Sequence, residues 1–254
     1  MRHTIIILTL VLFVSCGQTD NKRISSKSTV EVVDTLLANN YILHFEKADS
    51  FATTDIYGDL KYRNKLTDTI YNSHETAKKI QSYLAAKFGD NFFTTDSTLV
   101  LKFSNGKTAA FALWDAKNDI GYNFEHYFEN IDYYLLWVQF GEGNCWMLVN
   151  RKNGFKKFLG GLPYISKEGN KIIAISSDLE AGYSFNGIEL YTIGADSLKE
   201  EFIRKTEWGP VDVKWINEDQ FYIKREHFNV DTLTGEQDNI IDFKLVTIKK
   251  KTSQ

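Results

Sequence analysis

The feature that most constrains the fold is the alternation, from residue 98 onward, of short apolar runs with turn residues. Runs of this length, rich in aromatic and β-branched residues, are typical of half-buried strands. Dipeptides such as Asn105-Gly106 and Asn153-Gly154 supply the positive φ that tight turns between antiparallel strands require. The chain also contains eighteen Phe, thirteen Tyr and five Trp but only two Pro. Together these observations predict a mainly β protein.

Shorter patterns predict individual helices and strands before residue 98 and a hairpin just after it. Residues 72–91 have apolar residues at helical spacing, which predicts one helix. Residues 28–40 suit a second helix or a strand equally well. Residues 99–113 alternate around Asn105-Gly106 and predict a β-hairpin.

Two segments in the C-terminal half of the chain repeat one another. LPYISKEGNKIIAI aligns with GPVDVKWINEDQFYI, and their Pro163 and Pro210 lie 47 residues apart. Further along, IELYTI (188–193) matches FKLVTI (243–248). A looser third unit, IDYYLLWVQFGEGNCWMLVN, precedes both.

This period, with several strands in each unit, resembles the blades of β-propellers. SKEG (166–169) is similar to the Ser-Pro-Asp-Gly turn motif of such repeats. The resemblance implies propeller-like or meandering antiparallel sheets, in a ring that three units need not complete. A two-sheet β fold with an α+β N-terminal part is the alternative. The residues expected to point inward from the repeats are Ile172, Ala174, Leu190, Trp215 and Phe221.

Four ranges follow from these patterns. Residues 1–15 are expected to be a signal peptide. Residues 16–30 are expected to be a flexible tether, because 17–29 contain no aromatic residue and only one aliphatic residue. Residues 31–128 are expected to form the α+β N-terminal part. Residues 129–254 are expected to form the β-meander repeat part.

The start of the chain has the plan of a signal peptide, with Arg2 before an apolar run and Ser15 directly before Cys16. Val14, Ser15 and Cys16 resemble the lipobox of bacterial lipoproteins. The resemblance implies cleavage before Cys16, a lipid on its thiol and an anchor in the membrane of the cell envelope. Gly17 takes the place of the aspartate that favours retention at the inner membrane, so the outer membrane is expected.

Composition and motifs exclude several classes of function. The formal net charge is −3 with the two signs interspersed, so no basic face for nucleic acid is expected. The histidines have no metal-ligand spacing, and no motif predicts a cofactor or a catalytic residue. If Cys16 carries a lipid, Cys145 has no partner for a disulfide and is expected to be a small buried apolar residue.

The strongest local sign of a ligand site is the aromatic stretch 114–137. Rings placed beside planar hydrogen-bonding groups suit a sugar or a peptide, although the same rings would also fill the core of a sheet. The candidate ligand-binding residues are Trp114, Asp115, Tyr122, Phe124, Glu125, His126 and Tyr127.

The sequence therefore predicts a cell-envelope lipoprotein that acts as a non-enzymatic binding module for a peptide, a glycan or a partner protein. One alternative is an envelope hydrolase whose carboxylates converge only in the fold. The other is an inhibitor or immunity lipoprotein that shields the envelope from a toxic enzyme.

Overall fold

A computed structural model describes residues 34–67, 73–230 and 237–251. Within these ranges the chain forms sixteen strands and two helices, and the strands pair antiparallel in four sheets. The prediction of a mainly β protein is confirmed. The signal peptide, Cys16 and the tether lie outside the described residues.

The first elements are two strands and two helices: β1 (Asp34–Ala38), β2 (Tyr41–Lys47), α1 (Leu60–Thr67) and α2 (Ser73–Phe88). α2 confirms the helix predicted over residues 72–91, and it buries Leu84 and Phe88. Where the sequence left residues 28–40 open, the described part, 34–38, is a strand.

The first sheet has three strands: β3 (Phe92–Thr94), β4 (Thr98–Lys102) and β5 (Thr108–Ala112). β4 and β5 form the hairpin predicted over 99–113, and Gly106 in its turn has a φ of 79°. Leu99 and Leu101 are fully buried on one face of β4, as the alternation of the sequence requires.

The second and third sheets are four-stranded meanders in which each strand pairs with the next. The second contains β6 (Ile120–Phe128), β7 (Tyr133–Phe140), β8 (Gly143–Asn150) and β9 (Lys156–Leu159). The third contains β10 (Leu162–Ile165), β11 (Lys171–Ser176), β12 (Gly187–Ile193) and β13 (Leu198–Lys205).

The fourth sheet joins the two ends of the described chain. Its C-terminal strands are β14 (Gly209–Asn217), β15 (Gln220–Val230) and β16 (Gln237–Lys250). β2 pairs with β16 and β1 with β2, which gives the order β1-β2-β16-β15-β14. The ranges 31–128 and 129–254 therefore share this sheet, and they also share the second sheet through the pairing of β6 with β7.

The repeat read from the sequence corresponds to the third and fourth sheets. Pro163 and Pro210 are the second residues of β10 and β14, which are edge strands of their sheets. The SKEG segment forms the turn from β10 to β11, with Gly169 at a φ of 72°. Four of the residues expected to point inward are fully buried and the fifth, Trp215, is partly buried: Ile172, Ala174, Leu190 and Phe221.

The sheets pack through three apolar clusters. One joins the third and fourth sheets, around Leu190 and Phe221. Another joins α2 to the first and second sheets, around Leu84 and Phe124. The last lies between the second and third sheets, around Leu135. Burial of this apolar surface is the main stabilising contribution to the arrangement.

Candidate functional site

A cavity of about 700 Å³ lies where β6, β10 and β14 meet the end of α2 and the segment 54–58. These three strands are edge strands of the second, third and fourth sheets. The volume falls within the range of small-ligand sites, about 300–1,000 Å³. Two other cavities of about 720 and 780 Å³ lie along residues 47–52 and between α1 and α2. The first is distinguished by the buried polar side chains that converge on it.

His126 is the most unusual of these side chains. It is only 9% exposed, and three aromatic rings surround it at centroid distances of 5.6 Å (Tyr57), 5.3 Å (Phe88) and 4.9 Å (Phe128). Its Nδ1 atom is buried and has no hydrogen-bond partner among the described residues. Burial first, and then the charges of Lys87 and Arg63, lower its pKa to about 4. The imidazole is therefore neutral at pH 7, when it can both donate and accept a hydrogen bond.

An ion network holds the Tyr57 side of the cavity in place. Arg63 Nε donates to Asp59 Oδ1 at 2.7 Å, and its NH2 donates to the backbone oxygen of Glu125 at 2.7 Å. Its NH1 lies 3.3 Å from Glu125 Oε2, and the guanidinium carbon lies 4.2 Å from the centroid of the Tyr57 ring. Asp59 also accepts from Lys87 Nζ at 2.5 Å. The network thus ties the start of α1 and the end of α2 to β6.

Glu125 is the member of this network that burial disfavours most. Its pKa rises to about 7 because the carboxylate loses its water, although the neighbouring Arg63 opposes the rise. Glu125 and His126 are adjacent on β6, at a β-bulge in its pairing with β7 that leaves Glu125 without a cross-strand partner. Glu125 contacts Arg63, and His126 faces the cavity.

The opposite side of the cavity is formed by β10 and β14. Trp215 Nε1 donates to the backbone oxygen of Tyr164 at 2.9 Å, which links the two strands beside the cavity. Asp212 accepts from the backbone N–H of Thr54 at 3.0 Å and of Val213 at 2.8 Å. Burial, followed by the nearby Asp212 carboxylate, raises the pKa of the Tyr164 phenol. Tyr164 is therefore a neutral hydroxyl at physiological pH.

Three lysines and two acidic residues line the cavity. Lys87 is paired with Asp59, whereas Lys167 and Lys214 are exposed and have no carboxylate within ion-pair distance in the described part of the chain. Of the two acids, Asp55 accepts hydrogen bonds from the backbone N–H groups of Asp59 and Leu60 at the start of α1. The unpaired positive charge at the cavity is thus on two lysines.

The seven candidate residues predicted in the aromatic stretch do not form one surface. His126 and Tyr127 line the cavity, and the Tyr127 hydroxyl donates to Asp132 at 2.7 Å. Glu125 lies against Arg63, at the β-bulge of β6. Phe124 is fully buried and stacks on Phe92 at a centroid distance of 3.9 Å.

The remaining three candidates lie toward the other end of β6. Trp114 is 49% exposed and lies over Gly121, where a Cβ atom would approach its ring to 2.8 Å. Asp115 accepts from the Asn118 side chain at 2.6 Å within a turn. Tyr122 is partly buried and its ring contacts that of Phe111 at 5.2 Å. None of the three lines the cavity.

Sequence reasoning missed the cavity residues contributed by other elements, above all Tyr57, Tyr164, Lys167 and Lys214. A signal for the last two was present, because the 47-residue offset that relates Pro163 to Pro210 also relates Lys167 to Lys214. Equivalent positions of successive repeat units thus supply the two unpaired lysines. Tyr57 belongs to no periodic pattern, and only the fold brings it to His126.

No protein family, curated protein or solved structure with which we compared this chain matches it. Neither α1 nor α2, the two helices of the described ranges, is long and apolar enough to cross a membrane. Over the same residues, no group of three His, Cys, Asp or Glu side chains is placed to hold a metal ion. The cavity itself is therefore the basis for assigning a function.

Proposed function

We propose that this protein is a lipid-anchored module of the bacterial cell envelope that binds a peptide or glycan segment in the cavity around His126. One observation carries the proposal: aromatic rings and polar side chains from separate elements converge on a single cavity of ligand size. Rings give area for stacking on a flat apolar group, and fixed polar atoms give orientation. His126 and Tyr127 are the predicted site residues that contribute.

The acidic residues of the cavity favour binding over hydrolysis. Glycoside hydrolysis needs two carboxyl groups that face one scissile bond. Of the two acidic residues in the lining, Asp55 has both carboxylate oxygens engaged by backbone N–H groups of α1. A non-enzymatic module therefore remains our proposal.

We also propose that the sheets follow a propeller-like plan, in which β6, β10 and β14 are equivalent inner strands. The repeat supports this plan, since Pro163 and Pro210 are each the second residue of an edge strand in successive sheets. The cavity supports it as well, because all three strands contribute to its lining. An experimental structure in which these strands did not surround one axis would contradict the plan.

The binding proposal is tested by blocking the cavity in the full-length, detergent-solubilised protein. Asn130 is exposed and lines the cavity, so Asn130→Trp places a large ring in the space. Asn40→Trp makes the same change at an exposed turn between β1 and β2 and serves as the control. We expect glycan arrays and peptide libraries to yield a ligand whose affinity falls at least about tenfold in Asn130→Trp alone. Equal affinity in both variants would locate binding elsewhere.

Anchoring is tested at Cys16. A thiol can carry a diacylglycerol through a thioether, and two or more acyl chains anchor a protein stably. We expect wild-type protein grown with a clickable palmitate to be labelled and found in the membrane fraction. Cys16→Ser should lose the label. A label that persists on the serine variant would show that Cys16 is not the acylated residue.

A further inference from the structure

We propose that the cavity takes a ligand that joins an anionic group to an apolar or aromatic body, with Lys167 and Lys214 contacting the anionic group. This inference rests on the proposed function, because it names the ligand class of the same cavity.

The first support is the placement of the two lysines. They come from different places in the fold, the turn after β10 and the strand β14, yet both line one cavity. In the described ranges no carboxylate lies within ion-pair distance of either. Lys171, four residues after Lys167, shows the usual alternative, since its Nζ lies 2.9 Å from Asp219. Two unpaired cations at one cavity favour a ligand that brings the negative charge.

The second support is the contrast between the exposed lysines and the buried histidine. Lys167 and Lys214 are exposed, whereas His126 is 9% exposed among Tyr57, Phe88 and Phe128. The cavity therefore offers exposed, unpaired positive charge at the two lysines and buried rings around His126, where the charge of Lys87 is already paired with Asp59. A ligand with charge at one end and a ring or apolar group at the other matches this arrangement.

The third support is the unpartnered atom of His126. Buried polar atoms in folded proteins nearly always have a hydrogen-bond partner, so an orphan requires an explanation. Nδ1 of His126 is such an orphan in the part of the chain that the structure describes. A polar atom on the body of a ligand, held among the rings, would supply the missing partner.

The ammonium group of a lysine is a compact point charge, so it attracts the carboxylate of an acidic sugar and that of a peptide terminus alike. Two matched pairs of probes therefore test the need for a negative charge on the ligand and, separately, whether the ligand is a sugar or a peptide. Phenyl glucuronide and phenyl glucoside differ only in the carboxylate of the sugar. N-acetyltyrosine and N-acetyltyrosinamide differ only in the carboxylate of the amino acid. Each would be titrated by ligand-observed NMR against the full-length protein in detergent.

In wild-type protein we expect the acid of at least one pair to bind about tenfold more tightly than its neutral partner. The double variant Lys167→Gln/Lys214→Gln should remove this preference. Lys107→Gln/Lys250→Gln, an equal change of charge at exposed positions outside the cavity, should retain it. The pair with the larger preference identifies a sugar or a peptide source.

Three results would overturn the inference. Equal affinity for acid and neutral probes would exclude recognition of the anion and leave a neutral ligand for the proposed binding module. A preference that survives in the Lys167→Gln/Lys214→Gln protein would exclude these lysines as its source. No binding of any probe up to about 10 mM would reject this ligand class. The Asn130→Trp experiment judges the proposed function separately, because it uses unbiased libraries.

Discussion

One side of the cavity is held by backbone ladders and buried aliphatic side chains, whereas the other is held by charges. The first, which we term the repeat wall, consists of Tyr164, Lys167, Lys214 and Trp215 on β10, β14 and the turn that follows β10. The second, the network wall, consists of Tyr57, Lys87 and His126, with Arg63 behind them. The repeat wall rests on a core of fully buried residues that include Leu190 and Phe221.

The two walls lose stability in different ways when one side chain is removed. An aliphatic core residue loses apolar burial and leaves a void, and neither effect depends on pH. A buried ion loses its partner, and the charge that remains is poorly hydrated. The network wall is therefore the more sensitive to a single change and the only one of the two in which we expect a titrating histidine to matter.

The largest effect is expected at Arg63. Its side chain is 8% exposed, and Arg63→Met leaves the Glu125 carboxylate without its cation and removes one of the partners of Asp59, which keeps Lys87 and Tyr83. Breaking a buried pair on one side typically costs about 3–5 kcal/mol of unfolding free energy. Urea denaturation at pH 7 would measure it. Cavity binding should weaken as well, because Tyr57 loses the guanidinium against which it packs.

Lys199→Met provides the matched control for Arg63. Lys199 pairs with Glu201 at 2.9 Å and its side chain is 69% exposed, and the less exposed Glu201 carboxylate keeps hydrogen bonds from Tyr41 and Thr192 when Lys199 is removed. Exposed pairs contribute about 1 kcal/mol or less. If Arg63→Met cost no more than this control, the network wall would not be held by its charges, and the contrast between the walls would fail.

The next effect is expected in the core behind the repeat wall. Leu190 on β12 is fully buried, so Leu190→Ala should cost about 2–5 kcal/mol through lost burial and the void it leaves. The loss should be the same at pH 5 and pH 8. Ile203 on the neighbouring strand β13 is 44% exposed, and Ile203→Ala should change stability by about 0.5 kcal/mol or less. Equal losses at the two sites would remove Leu190 from the core and break the assignment of the repeat.

The core behind the repeat wall is the part that the sequence predicted, although Tyr164, Lys167 and Lys214 of the wall itself were missed. Ile172, Ala174 and Leu190 belong to short apolar runs bounded by turn residues, and such runs are a local pattern that indicates buried strands. Pro163 and Pro210 mark the starts of β10 and β14. The four-sheet arrangement was less readable, because the pairing of β2 with β16 joins segments about 200 residues apart and no local pattern encodes it.

The network wall could not be read in this way. Arg63 meets Glu125 across 62 residues of sequence, and each looks like an ordinary surface charge in its own segment. The aromatic stretch pointed to the correct strand but not to the correct face. A β-bulge between Phe124 and His126 interrupts the alternation of β6, so Phe124 is buried in the core and His126 lines the cavity, whereas Trp114 and Tyr122 lie toward the other end. The aromatic composition of the sequence indicated β6, but only the fold determines which side chains of β6 line the cavity.

The smallest predicted effect tests the network wall through His126. Its pKa is about 4 in the folded protein against an ordinary value of 6.5, so between these values the unfolded chain holds a proton that the folded chain does not. Stability must therefore fall as pH is lowered through this window. From pH 8 to pH 5 the loss amounts to about 2 kcal/mol. His126→Phe retains a ring among Tyr57, Phe88 and Phe128 but cannot titrate.

The measurement is the difference between two pH profiles of unfolding free energy, wild type and His126→Phe. Glu125, with its pKa raised to about 7, contributes with the opposite sign, because stability then rises as pH falls from 7. That contribution is present in both proteins and cancels in the difference, whereas a change in packing adds an offset that does not vary with pH. We therefore expect the stability of the wild type relative to the variant to fall by a growing amount from pH 6.5 down to about pH 4. Parallel profiles would show that the histidine titrates alike in both states, and that the rings around it do not exclude its charge.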